Sequence, residues 1–306
     1  MSLYTSTSFN PILSEALNKI GENNFVGTKI FPVRNVGTKV GEYPIFGTDQ
    51  FDNNTSKARA AGAAFPRQDF EYNKQTYATV QYALEGVLPD EDETAASEAG
   101  VTDASAAIAQ KLQRNLMVGH ELRCAAALTG AGFPSNPATG AFDGSGTVPT
   151  PIVDIQNAVE RLNAHGFYDN IALIIETSLF NKMINTDDVR GIFNGNGTYT
   201  NRQVLLDAFG VNEIIITPTR YNSKAKGQTS DRARIWKTDE LYVAQVAGGD
   251  FANGGFGRTL SFGPDGGLFT AEVYRDEPIK SDILRVYNSV DEVVINTHAG
   301  QKITGA

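Results

Sequence analysis

The sequence predicts an α+β fold in which a long β-hairpin and a long helix precede an α/β unit and a β-rich close. Three observations predict it. Runs at 40–46 and 70–82 read as strands, and they flank a stretch at 48–68 rich in Asn, Ser, Ala and Gly. Residues 103–128 then carry apolar residues at helical spacing. Beyond a Gly/Pro/Ser loop at 130–149, helix and strand patterns alternate, and strand patterns dominate the last third.

Residues 1–24 are polar, with Leu13, Ala16, Leu17 and Ile20 spaced for one short amphipathic helix. This arm is too short for a core of its own. Residues 25–84 form the hairpin. Ile30-Phe31-Pro32-Val33 and 40–46 lead out, and 70–82 leads back, with Thr76, Ala78, Val80 and Tyr82 alternating against Tyr77, Thr79 and Gln81. The tip holds few large apolar residues, and an isolated two-stranded ribbon is marginal in water. It therefore needs a surface to lie on, from its own subunit or from a neighbour.

Residues 85–149 start acidic. From 75 to 110 there is no Lys or Arg, while Glu85, Asp90, Glu91, Asp92, Glu93, Glu98 and Asp103 all fall there. Asp103 is the expected N-cap of the long helix, with Ala104, Ile108, Leu112, Leu116, Leu122 and Ala126 tracing one face. At ~1.5 Å per residue it spans roughly 39 Å. Gly130 stops it, and Gly119 within it marks a bend or close packing.

Residues 150–275 read as a compact unit. Thr150-Pro151 has the form of an N-cap followed by Pro at the first helical position, and Ile152, Ile155, Val159 and Leu162 give the buried stripe. Residues 171–175 are a buried strand, 179–184 and about 202–209 are helical, and 213–217 is a strand. Further strands are expected at 233–237, 241–246, 258–262 and 271–275, and 276–306 closes the chain with a β-rich run at 282–295.

Composition excludes several functions. The 306 residues are 41% hydrophobic and 20% charged, so the chain is globular. Its longest strongly apolar run is far below the ~18 residues of a membrane span, and residues 1–20 lack the pattern of a signal peptide. A net charge of −9 is wrong for a tight nucleic-acid binder, which neutralises phosphates with a basic face. One cysteine, Cys124, forbids an intrachain disulfide and a multi-Cys metal site. His120, His165 and His298 have no second His or Cys at ligand spacing, so they read as surface or capping residues and no metal is expected. Cys124 reads as a small buried apolar residue. The Gly-rich stretches match neither GxxxxGK[ST] nor GxGxxG, and no GxSxG elbow occurs. No catalytic residue and no cofactor is expected.

What remains is charge. Lys57, Arg59 and Arg67 lie at the hairpin tip, where no acid occurs from 53 to 68. Asp90, Glu91, Asp92 and Glu93 stand where the long helix is approached. Adjacent acids point in different directions, so this is a solvated or partner-facing run and not an acid/base pair. In a repeated assembly the basic tip of one subunit would settle on the acidic run of the next.

The order of segments resembles that of the major capsid proteins of tailed bacteriophages over almost the whole chain. Phe31-Pro32-Val33, residues 77–88 with Asp90-Glu91, and His120-Glu121-Leu122-Arg123-Cys124-Ala125-Ala126 look like that family in wording. So do Phe209-Gly210-Val211 and the close from Tyr274 to Asp282. The resemblance implies an N-terminal arm (1–24), an extended loop (25–84), a peripheral domain with a spine helix (85–149), an axial domain (150–275) and a return to the peripheral domain (276–306). It implies pentamers and hexamers closing into an icosahedral shell around double-stranded DNA, held without sequence-specific binding. The protein would be made in the host cytoplasm and end in the virion, with no membrane. A long N-terminal scaffolding extension of some members has no counterpart before the arm, which implies a separate scaffolding protein, alongside a portal. Some members cross-link a hairpin Lys to a neighbour's Asn, and Lys57 has the location for it. Two other readings stand beside this one: an encapsulin-type compartment shell, and an α/β enzyme or ligand-binding protein with a β insertion.

Overall fold

The structure is a computed structural model and describes residues 8–9, 25–46, 58–59, 61–65, 72–98, 104–193, 202–224, 227–229, 231–248, 251, 254–263 and 267–306. In chain order the first elements are β1 (Ser8–Phe9), α1 (Gly27–Ile30), β2 (Val33–Asn35), β3 (Val40–Phe46), β4 (Tyr72–Ala78) and β5 (Val80–Pro89). Then come α2 (Asp90–Glu98), α3 (Ala104–Thr129), β6 (Ser135–Pro137), α4 (Pro151–Ala164) and β7 (Ile171–Glu176). They are followed by α5 (Thr177–Ile184), α6 (Asp187–Phe193), α7 (Arg202–Phe209), β8 (Glu213–Thr217), β9 (Arg220–Asn222) and β10 (Arg232–Arg234). The last are β11 (Glu240–Gln245), β12 (Gly257–Ser261), β13 (Thr270–Asp276), β14 (Ser281–Val294) and β15 (Gly300–Thr304). The expected arm helix, its residues 10–24 and the Asp103 cap lie outside the described residues.

Two sheets organise the chain. In the first, the order is β1-β13-β14-β12-β2, with β5 on the other side of β14. β14 is its spine, pairing antiparallel with β13, β12 and β5 along 14 residues. One face packs on α3 through Leu88, Ala271, Leu284 and Val286 against Ala109, Leu116 and Met117. The second sheet has the order β6-β15-β11-β7-β8. Residues 150–275 feed both sheets, and the chain ends in the second.

β7 explains why the second sheet was legible. It is central and covered on both faces, so five consecutive residues, Ile171 to Ile175, are apolar and at most 2% exposed. Alternate positions go to opposite layers. Ile171, Leu173 and Ile175 meet Ile155, Leu162, Leu179 and Phe209 of α4, α5 and α7. Ala172 and Ile174 meet Cys124, Ala125 and Leu128 of α3 with Phe31, Trp236 and Phe256. The end of α3 is thus shared between the two sheets.

The hairpin β3–β4 forms as expected, Val40 pairing with Ala78 and Phe46 with Tyr72. Two expectations at its root are corrected. Residues 27–30 are a helical turn, and Val33–Asn35 pairs parallel with β12, so this segment belongs to the main sheet and not to the outgoing arm. Ile30 and Phe31 are 0% exposed, and burying both anchors the segment whatever its strand propensity. The return run does not end at Tyr82 either. At Thr79, whose N–H donates to the Lys39 carbonyl (2.8 Å), the chain leaves β3 and continues as β5 along β14 to Pro89.

The long helix falls as expected, but its buried face does not. Gln113, Leu116, Met117, His120, Glu121, Cys124, Ala125 and Leu128 are inside, whereas Ala126 is exposed and Leu122 only half-buried. The step from Leu116 to Leu122 broke the helical period. The true stripe runs on through two polar residues that have buried partners. Gly119 marks no close approach, since a Cβ there would touch only Arg123 Nη1 at an ordinary 3.6 Å. Thr150 and Pro151 hold the expected positions, but the Thr150 side chain makes no capping hydrogen bond.

Candidate assembly interface

The hairpin rests partly on its own subunit. Tyr43 and Tyr77 are buried against Leu260 and Val293. Tyr43 stacks on Phe251 (ring centroids 5.8 Å) and its hydroxyl donates to Gln75 Oε1 (2.7 Å). Tyr77 lies across Gly41, where a Cβ would fall 2.7–2.9 Å from its hydroxyl and ring, so a side chain at 41 would displace it. At the junction of β4 and β5, Asp291 Oδ2 accepts from the Ala78 N–H (3.0 Å). Toward the tip this support stops: every described residue from 58 to 65 is exposed.

Of the three tip cations, Arg59 is described, while Lys57 and Arg67 lie outside the described residues. The Arg59 guanidinium sits 4.2 Å from the centroid of the Phe65 ring, and Phe65 is 76% exposed. The tip therefore offers a cation on an open aromatic face, a pairing common at protein contacts.

The acidic run occupies the first turn of α2, where carboxylates complement the helix dipole. Its members are not equivalent. Asp90 receives both terminal nitrogens of Arg275, Nη1 to Oδ1 at 2.5 Å and Nη2 to Oδ2 at 2.7 Å. These hydrogen bonds hold the Asp90 carboxyl below the usual carboxylate range. Arg275 also meets Asp282 (3.1 Å) and Glu277 (3.7 Å), so three carboxylates share one guanidinium. Glu91, Asp92 and Glu93 are exposed and make no ion pair among the described residues. Among the described residues, no ion pair joins Arg59 to this run within one chain.

A polar cluster, hidden from sequence reasoning, ties α3 to the first sheet and to the two-stranded β9–β10 ribbon. His120, expected at the surface, is 0% exposed, and its Nε2 lies 3.3 Å from Thr259 Oγ1 and 3.6 Å from Glu292 Oε1. Burial, helped by Arg123, pushes its pKa down to about 3. Arg123 Nε donates to both Glu292 oxygens (3.0 and 3.1 Å), and its guanidinium lies over the Tyr82 ring (3.8 Å). Cys124 is buried, as expected, with Sγ 3.7 Å from the His120 ring nitrogens. On the other side of α3, Glu121 is 0% exposed, and its Oε1 accepts from the Thr219 hydroxyl (2.5 Å) and the Trp236 indole (2.8 Å). The signal present in the sequence is the pair His120 and Cys124, four apart and so on one helix face.

No protein-family model matches the chain, and no curated protein matches it. Solved structures do. A phage-related protein from Bordetella bronchiseptica RB50 is 22% identical with a TM-score of 0.78, covering 99% of each chain. A virus-like particle from Pyrococcus furiosus is 12% identical with a TM-score of 0.58, covering 95% of this chain and 97% of that one. The capsid of the cyanophage P-SCSP1u is 12% identical with a TM-score of 0.58, covering 91% of this chain and 87% of that one. The chain therefore has the α+β fold of phage capsid proteins, a fold also used by a virus-like particle shell.

Proposed function

We propose that this chain is a major capsid protein, a structural and non-enzymatic subunit that assembles with itself into a closed shell. One observation carries the reading: the likeness to a phage-related protein covers 99% of the chain, and that to a cyanophage capsid covers 91%. An α/β enzyme with a β insertion would share only part of that order.

In this reading residues 1–24 are the arm, 25–84 the extended loop, 85–149 the peripheral domain, 150–275 the axial domain and 276–306 the return. Pentamers and hexamers close into an icosahedral shell around double-stranded DNA, with a separate scaffolding protein and a portal, and the subunit's place is the virion. The net charge of −9 suits a container that must not stick to its polyanionic contents. The tip (Lys57, Arg59, Arg67) of one subunit grips the acidic run (Asp90, Glu91, Asp92, Glu93) of the next. Exposure of Arg59 and of Glu91 to Glu93 supports this. The likeness to the Pyrococcus furiosus particle keeps a second reading, an encapsulin-type compartment.

Negative-stain microscopy of the purified protein, alone and co-expressed with candidate scaffolds, tests the reading. Closed shells or uniform capsomers are expected, and a monomer under every condition refutes it. Shell contents separate the two readings: nuclease-protected DNA for a capsid, a co-purifying cargo protein for a compartment.

A further inference from the structure

The buried cluster at the middle of α3 has the composition of a metal site. His120 and Cys124 lie one turn apart on the same helix face, and Glu292 faces them from β14. Their ligand atoms all lie within 4.8 Å of one another, with Nε2 3.6 Å from the carboxylate and Sγ 3.7 Å from the ring nitrogens. A tetrahedral zinc ion, with Zn–S near ~2.3 Å and Zn–N near ~2.0 Å, sets its donor atoms about 3.5 Å apart, and Cys124 Sγ, equidistant from the two ring nitrogens and so off both lone-pair axes, would turn about its χ1 to meet such an ion. One nitrogen, one sulfur and one oxygen donor suit a borderline-soft divalent ion better than magnesium or calcium, which take oxygen alone.

The surroundings fit such a role. Glu292 is oriented by Arg123 Nε, a partner behind the ligand of the kind that fixes ligating carboxylates. Arg123 Nη2 is buried and has no hydrogen-bond partner among the described residues. Gly27 of α1 closes the cluster, since a Cβ there would lie 3.2 Å from His120 Nδ1 and 3.3 Å from Cys124 Sγ. The Thr259 hydroxyl donates to the Phe31 carbonyl (3.1 Å), so its oxygen accepts from His120 Nε2–H and marks the fourth side of the site.

We propose that His120, Cys124 and Glu292 bind one zinc-class divalent cation, a structural tie between α3 and β14 that is independent of the shell reading. The Cys124 thiol loses its proton to solvent, the imidazole proton moves from Nε2 to Nδ1, and thiolate and carboxylate neutralise the ion. The Arg123 charge stays, on a side chain 23% exposed.

The test uses the full chain expressed in cobalt-supplemented, zinc-depleted medium, so that folding and loading occur together. About one cobalt per chain by elemental analysis is expected, with a thiolate-to-cobalt charge-transfer band in the near ultraviolet. Cys124 is the sole cysteine, so the band reports this site alone. Cys124→Ser should abolish the band, and Glu292→Gln should keep the band while weakening retention roughly 10-fold or more. Folded wild-type chain holding less than about a tenth of an equivalent, or holding cobalt without the band, overturns the assignment. Undiminished retention in both variants overturns it too.

Discussion

Arg275 grips Asp90 with two parallel hydrogen bonds, 2.5 and 2.7 Å long, and so ties the end of β13 to the first residue of α2. The Asp90 N–H also donates to the Lys280 carbonyl (3.2 Å), which sets the helix start against the β13–β14 turn. The direction of α2, and with it the placing of Glu91, Asp92 and Glu93, depends on this clamp.

The clamp sets a pH dependence. Arg275 stays charged throughout, and the folded Asp90 carboxyl titrates below its unfolded value near ~3.9. Its stabilisation is therefore complete above that value and is lost as pH falls through the lower folded value. The melting temperature of Asp90→Asn should lie below that of wild type at pH 6, and the gap should close in acid. A gap unchanged down to pH 2 contradicts the clamp.

Charge at the proposed contact should act on assembly and not on folding. Lys57→Glu with Arg59→Glu should leave the circular dichroism and melting curve of the subunit unchanged, since Arg59 is exposed and, among the described residues, meets the exposed Phe65 ring. It should stop shell formation, and reversing Glu91, Asp92 and Glu93 to Lys should restore it. Normal shells from the first variant would remove the tip from the interface.

Glu121 joins the long helix to the base of the separate two-stranded β9–β10 ribbon, through Thr219 before β9 and Trp236 after β10. Glu121→Ala leaves the Thr219 hydroxyl and the buried Trp236 indole without their acceptor. Urea denaturation should show a loss of about 2–4 kcal/mol. A loss under ~1 kcal/mol would mean that water or a neighbouring group replaces the carboxylate.

Phe31 is the apolar counterpart. It is 0% exposed and packs edge-on against Phe256 (centroids 5.0 Å), and Gly257 leaves room for its ring. Phe31→Ala should cost about 3–5 kcal/mol. Gly257→Ala, whose Cβ would lie 2.6 Å from that ring and 2.9 Å from the Val293 carbonyl, should cost about 1–3 kcal/mol.

The sequence by itself determined the elements whose signal is local. The helix at 104–129, the ribbon of 40–46 with 72–78, and the buried strand at 171–175 were all readable, because side-chain periodicity follows from backbone geometry alone. The charges of the candidate interface were readable for the same reason, as composition along the chain.

Tertiary structure decided what depends on partners far apart. The short β15 carries little pattern of its own, and it is a strand because β11 and β6 flank it. β5 continues past Tyr82 because β14 offers a second edge where β3 ends. Asp90 is singled out from its three acidic neighbours by Arg275, 185 positions away. His120 and Glu121 face inward because Thr259 and Glu292 meet the imidazole there and Thr219 and Trp236 donate to one Glu121 oxygen, and burial of a polar group is costly without such partners. One sequence displays each of these residues but not which of them meet.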